Sequence, residues 1–397
     1  MESIAPEALG PGCGKSHPAL PSGQPDSELP KGSPGTRRRR FLITAGGVVA
    51  AAVGSAVIDA PHVIAQPKVQ WRMSTTWARS NELQGTAERL AKVVEEMSDG
   101  RFRIEVFAGG QIMQPLDCFE AASKGTIEAF MAAPFYWAQK EPAIQWFHTI
   151  PFGMNPEGMA AWFYQGDGLK LMEETYGAFN LVPRPGAAQA PQMAGWFRKK
   201  TNTISDYKGL KMRIGPLGGK VYARAGGTAV LIPAADIYAA LERGVIDACE
   251  WVGPHDDMQL GLHKTARYYY YPGWHEPGST NEFGFNKKAY DALPVDLRRM
   301  LDHAAAAMQV YGLTAFHAHN AIALERLKTE FKGKVEVLAL PVPVLRDLKK
   351  LAAEVVREES EKTPLARKVH GSFTKFQALV GPWDHVAEGA YHQFVGA

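Results

Sequence analysis

Cysteine is scarce in this chain. Cys13, Cys118 and Cys249 are the only three in 397 residues, which excludes a scaffold built from disulfides. Excess charge of one sign is missing as well. Forty-four basic residues face 41 acidic ones, for a net charge of +3, so no dominant basic surface and no nucleic-acid partner is expected. The compact signatures of catalysis are absent: the sequence holds no G-x-S-x-G, no H-E-x-x-H, no P-loop and no C-x-x-C pair. What is present is a globular composition. Hydrophobic residues make up 46% and charged residues 21%, enough to bury a core, and the length suits two lobes of ordinary size. Aromatics reach 10%, with nine Trp, a residue that lines ligand clefts as well as cores.

The first stretch has the composition of an address. Residues 1–36 hold seven Pro and six Gly without apolar periodicity, and are read as a disordered extension or as upstream of the true start. Residues 37–65 are read as a signal peptide. Arg37 to Arg40 lead into the uncharged stretch Phe41 to Ile58, and Val63-Ile64-Ala65 offers a cleavage site. Arg38-Arg39-Arg40-Phe41-Leu42 fits the twin-arginine pattern, which predicts export to the periplasm in folded form. The alternative is a retained signal anchor, but Gly46, Gly47, Gly54 and the alanines make a weak span. With cleavage after Ala65, Cys118 and Cys249 remain in an oxidising compartment. They fall in different lobes and are expected as buried thiols rather than a bridge.

The chain beyond residue 65 reads as α/β. A strand at Val69–Met73 precedes a helix opened by an Asn81/Gln84 capping box. Leu83, Ala87, Leu90, Ala91, Val94 and Met97 share one face of it. Gly100 ends the helix, and Phe102, Ile104 and Val106 alternate as a strand. This β-α-β order predicts a parallel sheet. A faint repeat follows. A helix over Leu116–Lys124 leads into Gly125-Thr126-Ile127-Glu128-Ala129, and a helix over Asp236–Arg243 leads into Gly244-Val245-Ile246-Asp247-Ala248. Each has a Gly cap, a strand and an acid at the same place, which suggests two lobes on one plan. Further strands are expected at Gln192–Phe197, Asp206–Ile214, Ile246–Trp251 and Asn281–Phe285. A long helix should run from Pro294 towards Phe331, and an amphipathic, charged segment from Pro341 onward is a candidate for dimer contacts. The division expected is lobe 1 over 66–190, lobe 2 over 191–280, and a return strand, long helix and C-terminal helical region over 281–397.

Candidate chemistry collects at strand ends, where open α/β sheets hold ligands. Gln192, Arg213, Glu250, Trp251 and Glu276 all fall there. A guanidinium grips a carboxylate bidentately, and two carboxylates with an amide or carbonyl oxygen make a site for a hard cation. Each also has a plain structural role open to it: Arg213 as a surface ion pair, Glu250 and Glu276 as exposed strand-end acids. Gly215-Pro216-Leu217-Gly218-Gly219 can hold an anion at a helix start but does not match the dinucleotide fingerprint. His255-Asp256-Asp257 reads as a metal ligand set or as a solvated turn or helix cap, and His317 and His319 do not share a helix face.

Asp206-Tyr207-Lys208-Gly209-Leu210-Lys211-Met212-Arg213-Ile214 resembles the D-x-K-G-L-K-x-R strand of solute-binding receptors from tripartite ATP-independent periplasmic (TRAP) transporters. Ala240-Leu241-Glu242-Arg243-Gly244-Val245-Ile246-Asp247-Ala248 resembles the family's A-L-Q-x-G-V-x-D-G block, with Ala248 where the family has Gly. The resemblance covers nearly the whole chain after the leader. Gln192-Met193, Arg213, Cys249 to Pro254 and Trp274 to Gly278 resemble the 2-oxo acid and lactate receptors, which hold their ligand with a cation. The resemblance implies a two-lobed periplasmic solute-binding protein with a hinged cleft and a long C-terminal helix. It implies that Arg213 clamps a small monocarboxylate and that Gln192 touches both substrate and cation. Glu250 and Glu276 would give side-chain oxygens to Na⁺ or Ca²⁺, and Trp251 a backbone oxygen. Phe135-Tyr136-Trp137 would close over the ligand, with Thr75 and Trp77 as further lining. TRAP permease subunits are the implied partner, and a homodimer through the C-terminal helices is possible on this pattern. Substrate, Glu250, Glu276 and Arg213 together leave two uncompensated negative charges, which a buried cleft resists. A cation relieves this, or one Glu stays protonated. The alternative from another class is a periplasmic metal-dependent hydrolase or lyase using Glu250, Glu276 and His275; a ligand sensor is a further one.

Overall fold

The computed structural model describes residues 68–395 apart from Pro233. The expected extension over 1–36 and signal peptide over 37–65 lie outside these residues. Among the described residues eleven strands form two sheets. In chain order they are β1 Val69–Thr75, β2 Phe102–Phe107, β3 Ala129–Ala132, β4 Leu181–Ala188, β5 Gly195–Phe197, β6 Lys211–Arg213, β7 Thr228–Val230, β8 Ala248–Cys249, β9 Tyr268–Tyr271, β10 Thr280–Asn286 and β11 Glu336–Ala339. The first sheet runs β2-β1-β3-β10-β4 and the second β11-β9-β5-β8-β6-β7. The chain is thus an α/β protein of two lobes. It crosses from the first sheet to the second after β4, returns after β9, and crosses again through the long helix to β11.

The repeat expected from the sequence is a real correspondence of architecture. In the first sheet β3 lies parallel to β1 and antiparallel to β10. In the second, β8 lies parallel to β6 and antiparallel to β5. The helix Cys118–Ser123 closes on Gly125 at φ 75°, and Ala234–Glu242 closes on Gly244 at φ 73°, a left-handed conformation natural to glycine. The closing hydrogen bonds also match: Thr126 N–H donates to Ala121 O and Val245 N–H to Ala240 O. Both acids have one job. The Glu128 carboxylate accepts the Arg72 N–H of β1 at 2.7 Å, and the Asp247 carboxylate accepts the Lys211 N–H of β6 at 2.9 Å. Each pins the incoming strand to the parallel strand beside it.

Several local expectations need correction. Asn81 does cap the helix Glu82–Met97, accepting the Leu83 N–H, but no capping box forms. Gln84 is buried instead: its amide oxygen accepts from the Thr75 hydroxyl at 2.6 Å and its Nε2 donates to Glu88. Met97, placed on the apolar face, is exposed at the helix end. The strands around the site are shorter than the sequence suggested, and β8 is two residues long.

The long helix runs Val295–Thr329. Its first half packs on β4 and the helix Glu82–Met97 through Leu297, Leu301, Ala304, Ala305 and Met308. Arg184 of β4 holds it there, bonding Asp302 at 2.8 Å and the Tyr290 hydroxyl at 2.8 Å. Gly312 lets helix and strand approach, because a Cβ there would stand 2.8 Å from the Ala187 Cβ. The helices Val342–Ser360 and Pro364–Asp384 then touch both lobes. Lys220 and Arg224 pair with Glu359 and Glu358 on the second-sheet side, while Lys368 pairs with Glu174 on the first. No helix of the described residues is long and apolar enough to cross a membrane. Cys118 and Cys249 are buried free thiols, as expected.

Candidate functional site

Most of the singled-out residues reach one cavity between the sheets because they sit near strand ends. Arg213 ends β6, Glu250 and Trp251 follow β8, and Gln192 precedes β5. Phe135 and Tyr136 lie in the turn Pro134–Trp137 after β3. Glu276 sits between β9 and β10 and completes the wall. The room left in the cavity is small, about 30 Å³.

Arg213 is 3% exposed, not a surface ion pair. Its Nη1 donates to the Glu250 carboxylate at 2.6 Å and to the Glu250 backbone oxygen at 2.9 Å. Its guanidinium lies 5.0 Å from the centre of the Trp251 ring. Burial disfavours its charge, but Glu250, Tyr136, Cys249 and Glu276 together outweigh this and raise its pKa. The Gly-rich turn does face an anion: the Gly215 N–H donates to the same Glu250 oxygen at 2.8 Å. A side chain at Gly215 would meet Glu276 Oε1 at 3.1 Å.

Glu250 and Glu276 are 1% and 4% exposed, so neither is a solvated strand-end acid. Glu276 Oε2 accepts from Gln192 Nε2 at 2.7 Å and from the Ser279 hydroxyl at 2.8 Å. His148 Nε2 stands 3.4 Å away. Burial pushes the Glu276 carboxyl up, but the His148 contact and the neighbouring His275 outweigh it and hold it below the usual carboxylate range. This argues against a protonated Glu276 as the relief of the negative charge. His275 Nε2 also stands 3.7 Å from Glu250 Oε2. The Tyr136 phenol keeps its proton, because burial pushes it up to about 12.

Buried polar atoms without partners gather here. Gln192 Oε1, Trp251 Nε1, both ring nitrogens of His275 and Asn281 Oδ1 have none among the described residues. Buried polar groups are ordinarily satisfied, so these atoms suit a polar guest. Donor atoms of Glu250, His275 and Glu276 lie within 4.8 Å of one another. Two carboxylates and the free Gln192 amide oxygen fit a hard cation, with His275 as a nitrogen neighbour to it.

Other expectations fall elsewhere. Trp77 lines the cavity, whereas Thr75 is engaged by Gln84 and Trp137 by Glu282. His255-Asp256-Asp257 is no solvated turn. Asp257 accepts from Trp196 Nε1, the Tyr269 hydroxyl and the Val252 N–H, and burial pushes it up to about 6. Asp256 is buried at the start of the first helix and pushed up to about 7. His148, Gln189 and Asn281 line the cavity and were not foreseen. Asn281 lies in the strand expected at Asn281–Phe285, and Gln189 is a lone polar residue between two alanines.

Residues 73–363 match the family model DctP, bacterial extracellular solute-binding protein, family 7. A monocarboxylate 2-oxoacid-binding periplasmic protein of Nostoc sp. is 37% identical over 331 residues, which are 83% of this chain and 90% of that protein. A TRAP periplasmic solute-binding protein of Pseudoalteromonas atlantica, solved with bound sodium and pyruvate, is 37% identical. It superimposes with a TM-score of 0.79 over 82% of this chain and 99% of its own. A TRAP transporter solute-binding protein of Bordetella bronchiseptica, 36% identical, superimposes with a TM-score of 0.80 over 83% of this chain and 97% of its own. It was solved as a mixed-occupancy dimer with copurified calcium and picolinate in one active site.

Proposed function

Because the chain belongs to the DctP family, bacterial extracellular solute-binding protein family 7, we propose that its cleft takes a small 2-oxo monocarboxylate such as pyruvate, or lactate, together with Na⁺ or Ca²⁺. One observation carries this reading. A buried guanidinium, two buried carboxylates and an unpaired Gln192 amide oxygen converge on one cavity. Arg213 has Nη2 without a protein partner among the described residues, and it turns that edge to the substrate carboxylate. Gln192 bridges substrate and cation. Glu250, Glu276 and the Trp251 backbone oxygen hold the cation, while Phe135 and Tyr136 cover the ligand. The cation supplies the positive charge that lets an anion enter beside two acids.

The protein acts by binding and not by turnover. Lobes over 66–190 and 191–280 close on the ligand about the segments of 281–397, and ligand contacts made only in the closed form shift the population towards it. The closed form docks on TRAP permease subunits, after export through the twin-arginine signal. Two copies pair through the C-terminal helices, where Leu379, Trp383 and Phe394 are 71%, 69% and 87% exposed. The test is calorimetry with pyruvate and with lactate, with and without chelator and Na⁺. Heat of one-to-one binding that fades without the cation, and ligand recovered chemically unchanged, is expected. Turnover of the ligand would instead favour the hydrolase or lyase alternative.

A further inference from the structure

Outside the cleft, one cluster of metal-ligating side chains is used by nothing described so far. Glu82 opens the first helix, His255 lies on the short helix Pro254–Gln259, and His319 lies on the long helix. His319 Nδ1 stands 3.0 Å from Glu82 Oε2, and the His255 and His319 rings are 4.8 Å apart between centres. One donor atom from each residue lies within 4.8 Å of the others. Donors on a tetrahedral Zn²⁺ stand about 3.4 Å apart, so small side-chain adjustments close the set. Two imidazoles and one carboxylate select a transition ion over Na⁺ or Ca²⁺.

Two of the three positions, Glu82 and His255, are braced independently of any metal. Asp256 Oδ1 accepts the Glu82 N–H at 3.2 Å and Asn81 Nδ2 at 3.1 Å. Asn320 Oδ1 accepts the His255 N–H at 3.0 Å. The Gln259 amide lies 3.2 Å from His255 Nε2, the kind of contact that fixes an imidazole. Asp256 Oδ2, buried beside the cluster, has no partner among the described residues.

The geometry points to a second metal site, for Zn²⁺ or a similar borderline divalent ion, made by Glu82, His255 and His319 across the seam between the lobes. Glu82 belongs to the element packed on β2 of the first sheet. His255 belongs to the connection between β8 and β9, tied to the second sheet by the bonds of Asp257 to Trp196 and Tyr269. An ion bound to both fastens the two lobes and the long helix together. The same seam walls the cleft: Leu83 and Trp251 line the ligand cavity, each within a turn or so of this cluster. Zn²⁺ therefore favours the closed form and tightens ligand binding, and the ligand tightens Zn²⁺ by the same factor. The coupling, though not the site, rests on the closing-cleft reading above.

The experiment is Zn²⁺ titration of the untagged exported protein by calorimetry and native mass spectrometry. The cleft cation is kept saturating, with and without pyruvate. One Zn²⁺ per chain is expected beyond the cleft cation. It should weaken at least about 100-fold in His255→Gln and in His319→Gln, and Co²⁺ substitution should give visible bands that both variants lose. Melting of parent and variants without Zn²⁺ should coincide, since His319 is 44% exposed at its side chain. Zn²⁺ binding that both variants retain, or no Zn²⁺ beyond the cleft cation, overturns the site. Zn²⁺ binding lost in the variants, but without effect on pyruvate affinity in the parent, keeps the site and overturns the coupling.

Discussion

The two sheets share a plan and use it for opposite ends. After β3 the chain turns through Phe135-Tyr136, and after β8 through Glu250-Trp251. The same topological position therefore presents aromatic cover on one side of the cavity and charge on the other. Their acids differ in the same sense. Glu276, which the second lobe brings to the cavity, is held ionised by His148, Ser279 and Gln192. Glu282, six positions on and inside β10 of the first sheet, has the Trp137 Nε1–H at 2.6 Å and is pushed up by burial to about 8. One acid faces a place for charge and keeps it, and the other is walled in and takes a proton. The repeat fixes where the strand ends point, and in the proposed function the side chains placed there divide the work into grip and cover.

The largest expected effect tests the grip. Arg213→Ala should lower pyruvate affinity by about 2–5 kcal/mol, because it removes the clamp and leaves Glu250 buried without its partner. Calorimetry showing near-parental affinity in that variant breaks the contrast. Next comes the walled-in acid. A folded-state pKa raised above the unfolded one stabilises at low pH, and that stability is lost as pH rises towards the folded value. Between pH 5 and 8 the parent should therefore lose roughly 3–4 kcal/mol through Glu282, and Glu282→Gln should remove this slope. Urea unfolding across that range is the check, and equal slopes in both proteins would refute the assignment. Smaller again is the cover: Phe135→Ala should weaken pyruvate binding about tenfold with the cation requirement intact.

Much of this division was legible before any coordinates. Gly125 and Gly244 announced the repeat, and Arg213, Glu250 and Glu276 stood out as polar residues at strand ends. What stayed hidden has physical reasons. β4 carries Pro183 and Pro185, which mask a strand in a sequence but are tolerated at a sheet edge. β11 is four residues after a long helix, too short to show alternation. His148 acts through a pairing with Glu276, far along the chain, that no local pattern encodes. Asp256 and Asp257 read as solvated because adjacent acids usually are. The partners that let them be buried, Asn81, Trp196 and Tyr269, are distant in sequence.

The smallest effect bears on the shared plan itself. If the two acids of the repeat are equivalent pins, Glu128→Ala and Asp247→Ala should each cost about 1 kcal/mol of stability, since each deletes one carboxylate that accepts a strand N–H, at 2.7 and 2.9 Å. The sites lie in different sheets and share no partner, so the double variant should lose the sum, within about 0.5 kcal/mol. Pyruvate affinity should barely move, because neither acid lines the cavity. Urea midpoints at constant slope provide the measurement. A cost at one site alone would mean that the matching Gly caps do not extend to matching strand anchors, and the sheets would then be alike in topology but held by different means.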